Sequence, residues 1–131
     1  MIASGVQRAI ARILLVEDED KLRASLAEGL RLEEWSVATA ATGAEATELI
    51  DAVEFDLLVL DYMLPDYDGI EIVRRARARN VNTPVLMITA HTTALAQLAE
   101  IKSGAIDWLS KPFAFGDLVG RCRALLERKT D

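Results

Sequence analysis

LLVLDYMLPDYDG, residues 57–69, joins an apolar run of strand length to a carboxylate and then to a turn. Leu57, Leu58, Val59 and Leu60 carry no polar interruption, the pattern of a strand buried on both faces in a parallel sheet. Asp61 follows with no spacer. Pro65, Asp66, Asp68 and Gly69 supply turn chemistry before a helical pattern opens at Ile70. Asp61 therefore stands at the carboxyl end of a buried strand, where open parallel sheets place ligands and chemistry. A carboxylate there is costly unless a cation or water compensates it.

Upstream, residues 12–16 (RILLV) read as a short strand that runs into Glu17-Asp18-Glu19-Asp20. From Lys21 the pattern is helical, with Leu22, Leu26 and Leu30 on one face and Arg23, Glu28 and Arg31 on the other. Residues 36–39 form a weaker strand and 45–53 a second helix, before the central strand at 55–60. Downstream, residues 69–79 form a third helix with Arg74, Arg75, Arg77 and Arg79 facing outward. Residues 85–88 are a fourth strand, followed by Thr89 and His91. Residues 93–103 form a fourth helix that ends at Gly104, 106–109 a fifth strand and 115–128 a last amphipathic helix.

Five strands alternating with five helices through short loops imply right-handed crossovers. The result is an α/β, doubly wound, five-stranded parallel sheet with helices on both faces. Glu17, Asp18, Asp61, Thr89 and Lys111 each lie just after a strand, so all five belong to one edge of the sheet. Three carboxylates brought together repel unless a cation sits between them. Hard oxygen donors select Mg2+ or Mn2+ over zinc. A divalent ion, a lysine and a hydroxyl are also what holds a phosphoryl group. The remaining carboxylate can act as nucleophile, and Asp61, alone on its strand, is the candidate.

The chain has 131 residues, 51% of them hydrophobic, enough for one domain with a sizeable core. A net charge of -6 argues against direct nucleic-acid contact, which needs a basic face. No apolar run approaches the ~20 residues of a membrane span. The lone Cys122 suits a reducing compartment, and a cytoplasmic location is expected. Residues 1–11 read as a flexible N-terminal leader and 12–131 as the folded domain. Cys122 falls mid-helix, as small core filler does. Asp66 and Asp68 read as loop and helix-start carboxylates.

The motifs VEDED, LVLDYMLPDYDG, ITA and WLSKPF, in this order and spacing, resemble the receiver domains of two-component response regulators. The likeness extends from Arg12 to Arg128. It implies a flavodoxin-like sheet of strand order 2-1-3-4-5 and a phosphoacceptor role for Asp61, with a sensor histidine kinase as partner and phosphoryl donor. It implies Mg2+ on Asp18, Asp61 and the backbone carbonyl of Met63, with Glu17 acting through a metal-bound water. Thr89 and Lys111 would each meet a phosphoryl oxygen, and Trp108 would stand at the switch aromatic, where the family usually has Tyr or Phe. Met63 and His91 stand at the loop positions that tune phosphoryl lifetime, and the Lys111-Pro112 bond is cis in such domains. The domain would be no enzyme beyond its own phosphorylation and dephosphorylation.

KPFAFGDLVGRCRALLER resembles the receivers that precede a winged-helix DNA-binding domain (OmpR-like). Such receivers pair as homodimers through the fourth helix, fifth strand and fifth helix. Asp107, Asp117 and Arg121 match charged positions of that face, while Gln97 and Ile106 depart from it. An aspartyl-phosphate phosphatase would need a second acid two residues after the nucleophile, where this chain has Met63. The alternative that remains is a pseudo-receiver, a protein-interaction module that works without phosphorylation.

Overall fold

The computed structural model describes residues 10–90, 96, 97, 99, 101 and 104–130. Strands β1 (Arg12–Val16), β2 (Ser36–Ala40), β3 (Leu57–Asp61), β4 (Val85–Thr89) and β5 (Ile106–Ser110) form one parallel sheet. Its order is β2-β1-β3-β4-β5, as the motifs imply. The helices are α1 (Asp20–Arg31), α2 (Gly43–Ala52), α3 (Gly69–Ala78) and a C-terminal helix, Phe115–Thr130. The expected helix over 93–103, with its anchors Leu95 and Leu98, lies mostly outside the described residues, though Ala96, Gln97 and Ala99 are helical. His91 lies outside them too, as do residues 1–9 of the expected leader. Sheet pairing begins at Ala11, whose carbonyl accepts from the Ser36 N–H at 2.9 Å.

Period-two alternation sorts the strands onto two cores. Ile13, Leu15, Leu57, Val59, Leu86 and Ile88 pack beneath α1 and the C-terminal helix, against Leu26, Leu30, Leu118, Cys122 and Leu125. Leu14, Val16, Leu58, Leu60, Val85 and Met87 pack beneath α2 and α3, against Ala46, Ile50, Ile70, Ile72 and Val73. Both faces of the three central strands are thus buried, which is why their sequences run apolar without a break. Cys122 is fully buried and its burial pushes the thiol up to about 12. The folded protein should therefore resist dithionitrobenzoate at about pH 8 and react once unfolded in guanidinium. Stoichiometric labelling of the native state would contradict the buried placement.

Side-chain caps mark the starts of α2 and α3. The Thr42 hydroxyl accepts from the Glu45 N–H at 3.1 Å and Glu45 accepts in turn from the Ala41 N–H at 2.6 Å. So α2 opens at Gly43 rather than at the expected Glu45. The Asp68 carboxylate caps α3 through the Glu71 N–H at 2.9 Å, as expected of a helix-start acid. The expected outward row of four arginines is corrected at Arg77. Arg74, Arg75 and Arg79 are exposed, but Arg77 turns back to the Val81 carbonyl at 2.9 Å and packs across Gly104. Gly104 has φ +79°, which only glycine adopts without strain.

Candidate functional site

Alternation along the strands also aims the polar residues at their ends. Asp61 continues the parity of Leu57 and Val59, Glu17 that of Ile13 and Leu15, and Lys111 that of Leu109. The three side chains converge. Lys111 Nζ lies 2.9 Å from Asp61 Oδ2 and 4.0 Å from Glu17 Oε1. To do so the lysine crosses β4, a reach of roughly two strand spacings of 4.8 Å, which its long stem allows. Asp61 is 5% exposed and Glu17 4%, so neither carboxylate is comfortably hydrated. Asp18, one residue on, is exposed at the rim.

Glu17, Asp18 and Asp61 offer carboxylate oxygens that all lie within 4.8 Å of one another. Such a group of hard oxygens fits an Mg2+ or Mn2+ ion. Burial pushes the Glu17 carboxyl up to about 7, the Glu19 N–H at 2.9 Å pulls against it, and the Asp61 carboxylate adds to it. Burial alone would lower the Lys111 ammonium, but the hydrogen bond and charge of Asp61 outweigh it and hold the lysine above its ordinary value. The second Asp61 oxygen, Oδ1, accepts from the Met63 N–H at 3.2 Å.

Thr89 closes β4 with its side chain buried, and its carbonyl accepts from the Lys111 N–H at 3.1 Å. The hydroxyl-bearing strand and the lysine loop are thereby joined beside Asp61. The Lys111-Pro112 bond is cis, as the resemblance implies. Met63 is 57% exposed beside the site. The Trp108 ring lies on the outer surface, 44% exposed. Its carbonyl accepts from Arg121 Nη1 at 2.7 Å, and the same guanidinium meets Asp107 at 3.2 Å.

Two residues escaped the reading of the sequence. Arg23, expected on the outer face of α1, instead turns under the acidic turn and donates to the Glu17 carbonyl at 2.9 Å and to Asp20 at 2.8 Å. A cation one helical turn after four consecutive acids was the available signal. Asp66, expected as a plain loop acid, accepts from the Gly43 and Ala44 N–H groups at 2.8 and 2.9 Å, capping α2 from another loop.

The profile described as "Response regulator receiver domain" matches residues 13–123. "Transcriptional regulatory protein TrcR" of Mycobacterium tuberculosis is 44% identical over 119 residues, covering 91% of this chain and 46% of that protein. The chain spans about half the length of the curated relatives it matches. Among solved structures, the Francisella response regulator 1452 receiver domain matches with a TM-score of 0.81 and 30% identity, over 90% of this chain and 98% of that one. The response regulator TrrA of Thermotoga maritima, solved in complex with Mg(2+)-BeF, matches with a TM-score of 0.78 and 28% identity, over 88% of this chain and 99% of that one.

Proposed function

Because the chain belongs to the response regulator receiver domain family of two-component systems, we propose that Asp61 is its phosphoacceptor and that a sensor histidine kinase is the donor. One observation carries this reading: a buried carboxylate at the end of the central strand, 2.9 Å from a lysine, within a cluster of three acids. An Asp61 carboxylate oxygen attacks the phosphorus of a phosphohistidine, the P–O bond forms, and the P–N bond breaks as the imidazole leaves. Asp18, Asp61 and the Met63 carbonyl would hold Mg2+, with Glu17 acting through a bound water. The ion supplies charge to offset that of the phosphoryl oxygens.

Lys111 exchanges its contact with Asp61 for a phosphoryl oxygen, and Thr89 turns its hydroxyl to another. The domain is then an enzyme only toward its own carboxylate. Trp108 starts from its outward position, and the change at Thr89 and Lys111 reaches β5 and the C-terminal helix, where Asp107, Asp117 and Arg121 stand. A second copy pairing through this face, and a winged-helix output domain that controls transcription, complete the proposal. The receiver occupies 12–131, after the leader, and works in the cytoplasm. No described helix is long and apolar enough to cross a membrane.

Intact mass after incubation with Mg2+ and acetyl phosphate tests the acceptor reading, which fails if wild-type protein gains no phosphoryl group. A pH dependence accompanies it. Glu17 binds its proton more tightly in the folded chain, at about 7, than at the ordinary 4.5. Its contribution to stability is thus full below 4.5 and is lost as pH rises through 7. Mg2+ requires the carboxylate, so it should raise the Tm more at about pH 8 than at about pH 6. Melts with Mg2+ and with EDTA at both values check this, and an equal rise at both would contradict it.

A further inference from the structure

The loop between β3 and α3 carries the backbone that faces the phosphoacceptor, and its fastenings are unequal. At its start, Tyr62 is held within the sheet, its N–H on the Ile88 carbonyl and its carbonyl on the Gly69 N–H, at 2.9 and 2.8 Å. At its end, Asp68 caps α3. Between them the chain leaves the sheet. Leu64 and Tyr67 pack against the core beneath α2 and α3, and Arg75 of α3 lies 4.2 Å from the Tyr67 ring centroid. Asp66 and the Tyr67 hydroxyl make polar attachments to α2. Asp66 Oδ1 accepts from the Gly43 N–H at 2.8 Å and Oδ2 from the Ala44 N–H at 2.9 Å. Oδ1 also accepts from the Tyr67 N–H at 2.9 Å. The Tyr67 hydroxyl meets the Thr47 hydroxyl at 2.6 Å, and its ring lies so close over Gly43 that a Cβ there would stand 2.6 Å from Cε2.

We propose that Asp66 is a positioning residue for Asp61, pinning the β3–α3 loop to the first turn of α2 so that the Met63 N–H stays on the Asp61 carboxylate. The assignment rests on Asp61 being the phosphoacceptor. The Met63 N–H holds Asp61 Oδ1 at 3.2 Å while Lys111 holds Oδ2 at 2.9 Å, so the carboxylate plane is set from both sides. Met63 lies three residues before Asp66, with Leu64 packed against the core between them, so releasing Asp66 loosens the segment that includes it without detaching it. The Met63 carbonyl, proposed as a metal ligand, lies on the same stretch. Slight desolvation would raise the exposed Asp66 carboxyl, but the N–H groups of Gly43, Ala44, Tyr67 and its own backbone outweigh it and hold the carboxyl below its ordinary value, so it is ionised and able to accept these bonds at neutral pH. Groups that orient metal and phosphoryl ligands without touching them tune affinity through such contacts.

Asp66→Ala, Asp66→Asn and wild type are compared by calorimetric Mg2+ titration, by intact-mass time courses with acetyl phosphate, and by thermal melts without Mg2+. Asp66→Ala should weaken Mg2+ binding and slow phosphorylation below saturating Mg2+ roughly tenfold, the low end for loss of an orienting partner. Asp66→Asn keeps one acceptor oxygen and should fall between. It also carries the test should the alanine variant fail to fold. The deficit should persist at about 0.5 M salt, where screening acts within about 4 Å, because it arises from geometry and not from lost charge. A lowered Tm with wild-type Mg2+ affinity and rate would reduce Asp66 to a helix cap and overturn the proposal, as would a deficit that salt removes. Wild-type protein that binds Mg2+ but gains no phosphoryl group would overturn the acceptor reading instead, with the Mg2+ titration still deciding whether Asp66 orders the site.

Discussion

Asp61→Asn should abolish phosphorylation outright: wild-type protein incubated with Mg2+ and acetyl phosphate gains one phosphoryl group in intact mass, and the variant gains none. The substitution preserves shape and removes the nucleophile, since an amide oxygen does not form the acyl phosphate. It also leaves the fold in place. The carboxylate that leaves is 5% exposed and crowded by Glu17, so the loss of its bond to Lys111 is offset by relief of like-charge repulsion. Metal-dependent beryllofluoride binding should disappear along with phosphorylation, which separates loss of the acceptor from loss of a particular donor. A variant that still takes up phosphate would move the acceptor to another residue.

Gly69→Ala should destabilise the chain by about 1–3 kcal/mol, the usual cost of overpacking, a fall in Tm of roughly 3–6 °C per kcal/mol. A Cβ on Gly69 would stand 2.7 Å from the Asp61 carbonyl oxygen and 2.8 Å from Met87 Sδ. The sulfur can swing aside. The carbonyl belongs to β3, paired on both edges in the middle of the sheet, so relief must come from α3 or from the strand end itself. Either movement disturbs the backbone that carries the acceptor, and Mg2+ affinity should fall with stability. Gly120→Ala is the matching control: it lies in the C-terminal helix with nothing within 4 Å, and alanine there should stabilise by about 0.5–1 kcal/mol. Equilibrium denaturation of both compares them directly, and a Gly69→Ala variant no less stable than Gly120→Ala would sink the steric account.

Much of this was legible before any coordinates. Unbroken apolar runs followed at once by polar residues announce buried parallel strands and place Glu17, Asp18, Asp61, Thr89 and Lys111 on one edge, where they are found. That Glu17, Asp61 and Lys111 also share a side is established by the structure. What stayed hidden depends on contacts without a period. The bond from Asp66 to Gly43 and Ala44 spans 22 or more residues and leaves no trace in either segment. Arg23 and Arg77 sit at helix positions that a wheel assigns to solvent, yet their stems are long enough to fold back onto carbonyls. The start of α2 is set by Thr42 and Glu45 together, a capping pair more local than the apolar stripe used to draw its limits.

Arg121 is already committed. Its guanidinium serves Asp107 and the Trp108 carbonyl of its own chain. Should a second copy dock on this face and claim that arginine, the event is a trade of one exposed carboxylate for another, with no net gain of ion pairs. Exposed pairs are worth about 0–1 kcal/mol each, so such an exchange is close to thermoneutral in charge. In that event association would have to draw on apolar surface such as the Trp108 ring, 44% exposed, and the arginine would serve only as a register mark that selects how the copies align.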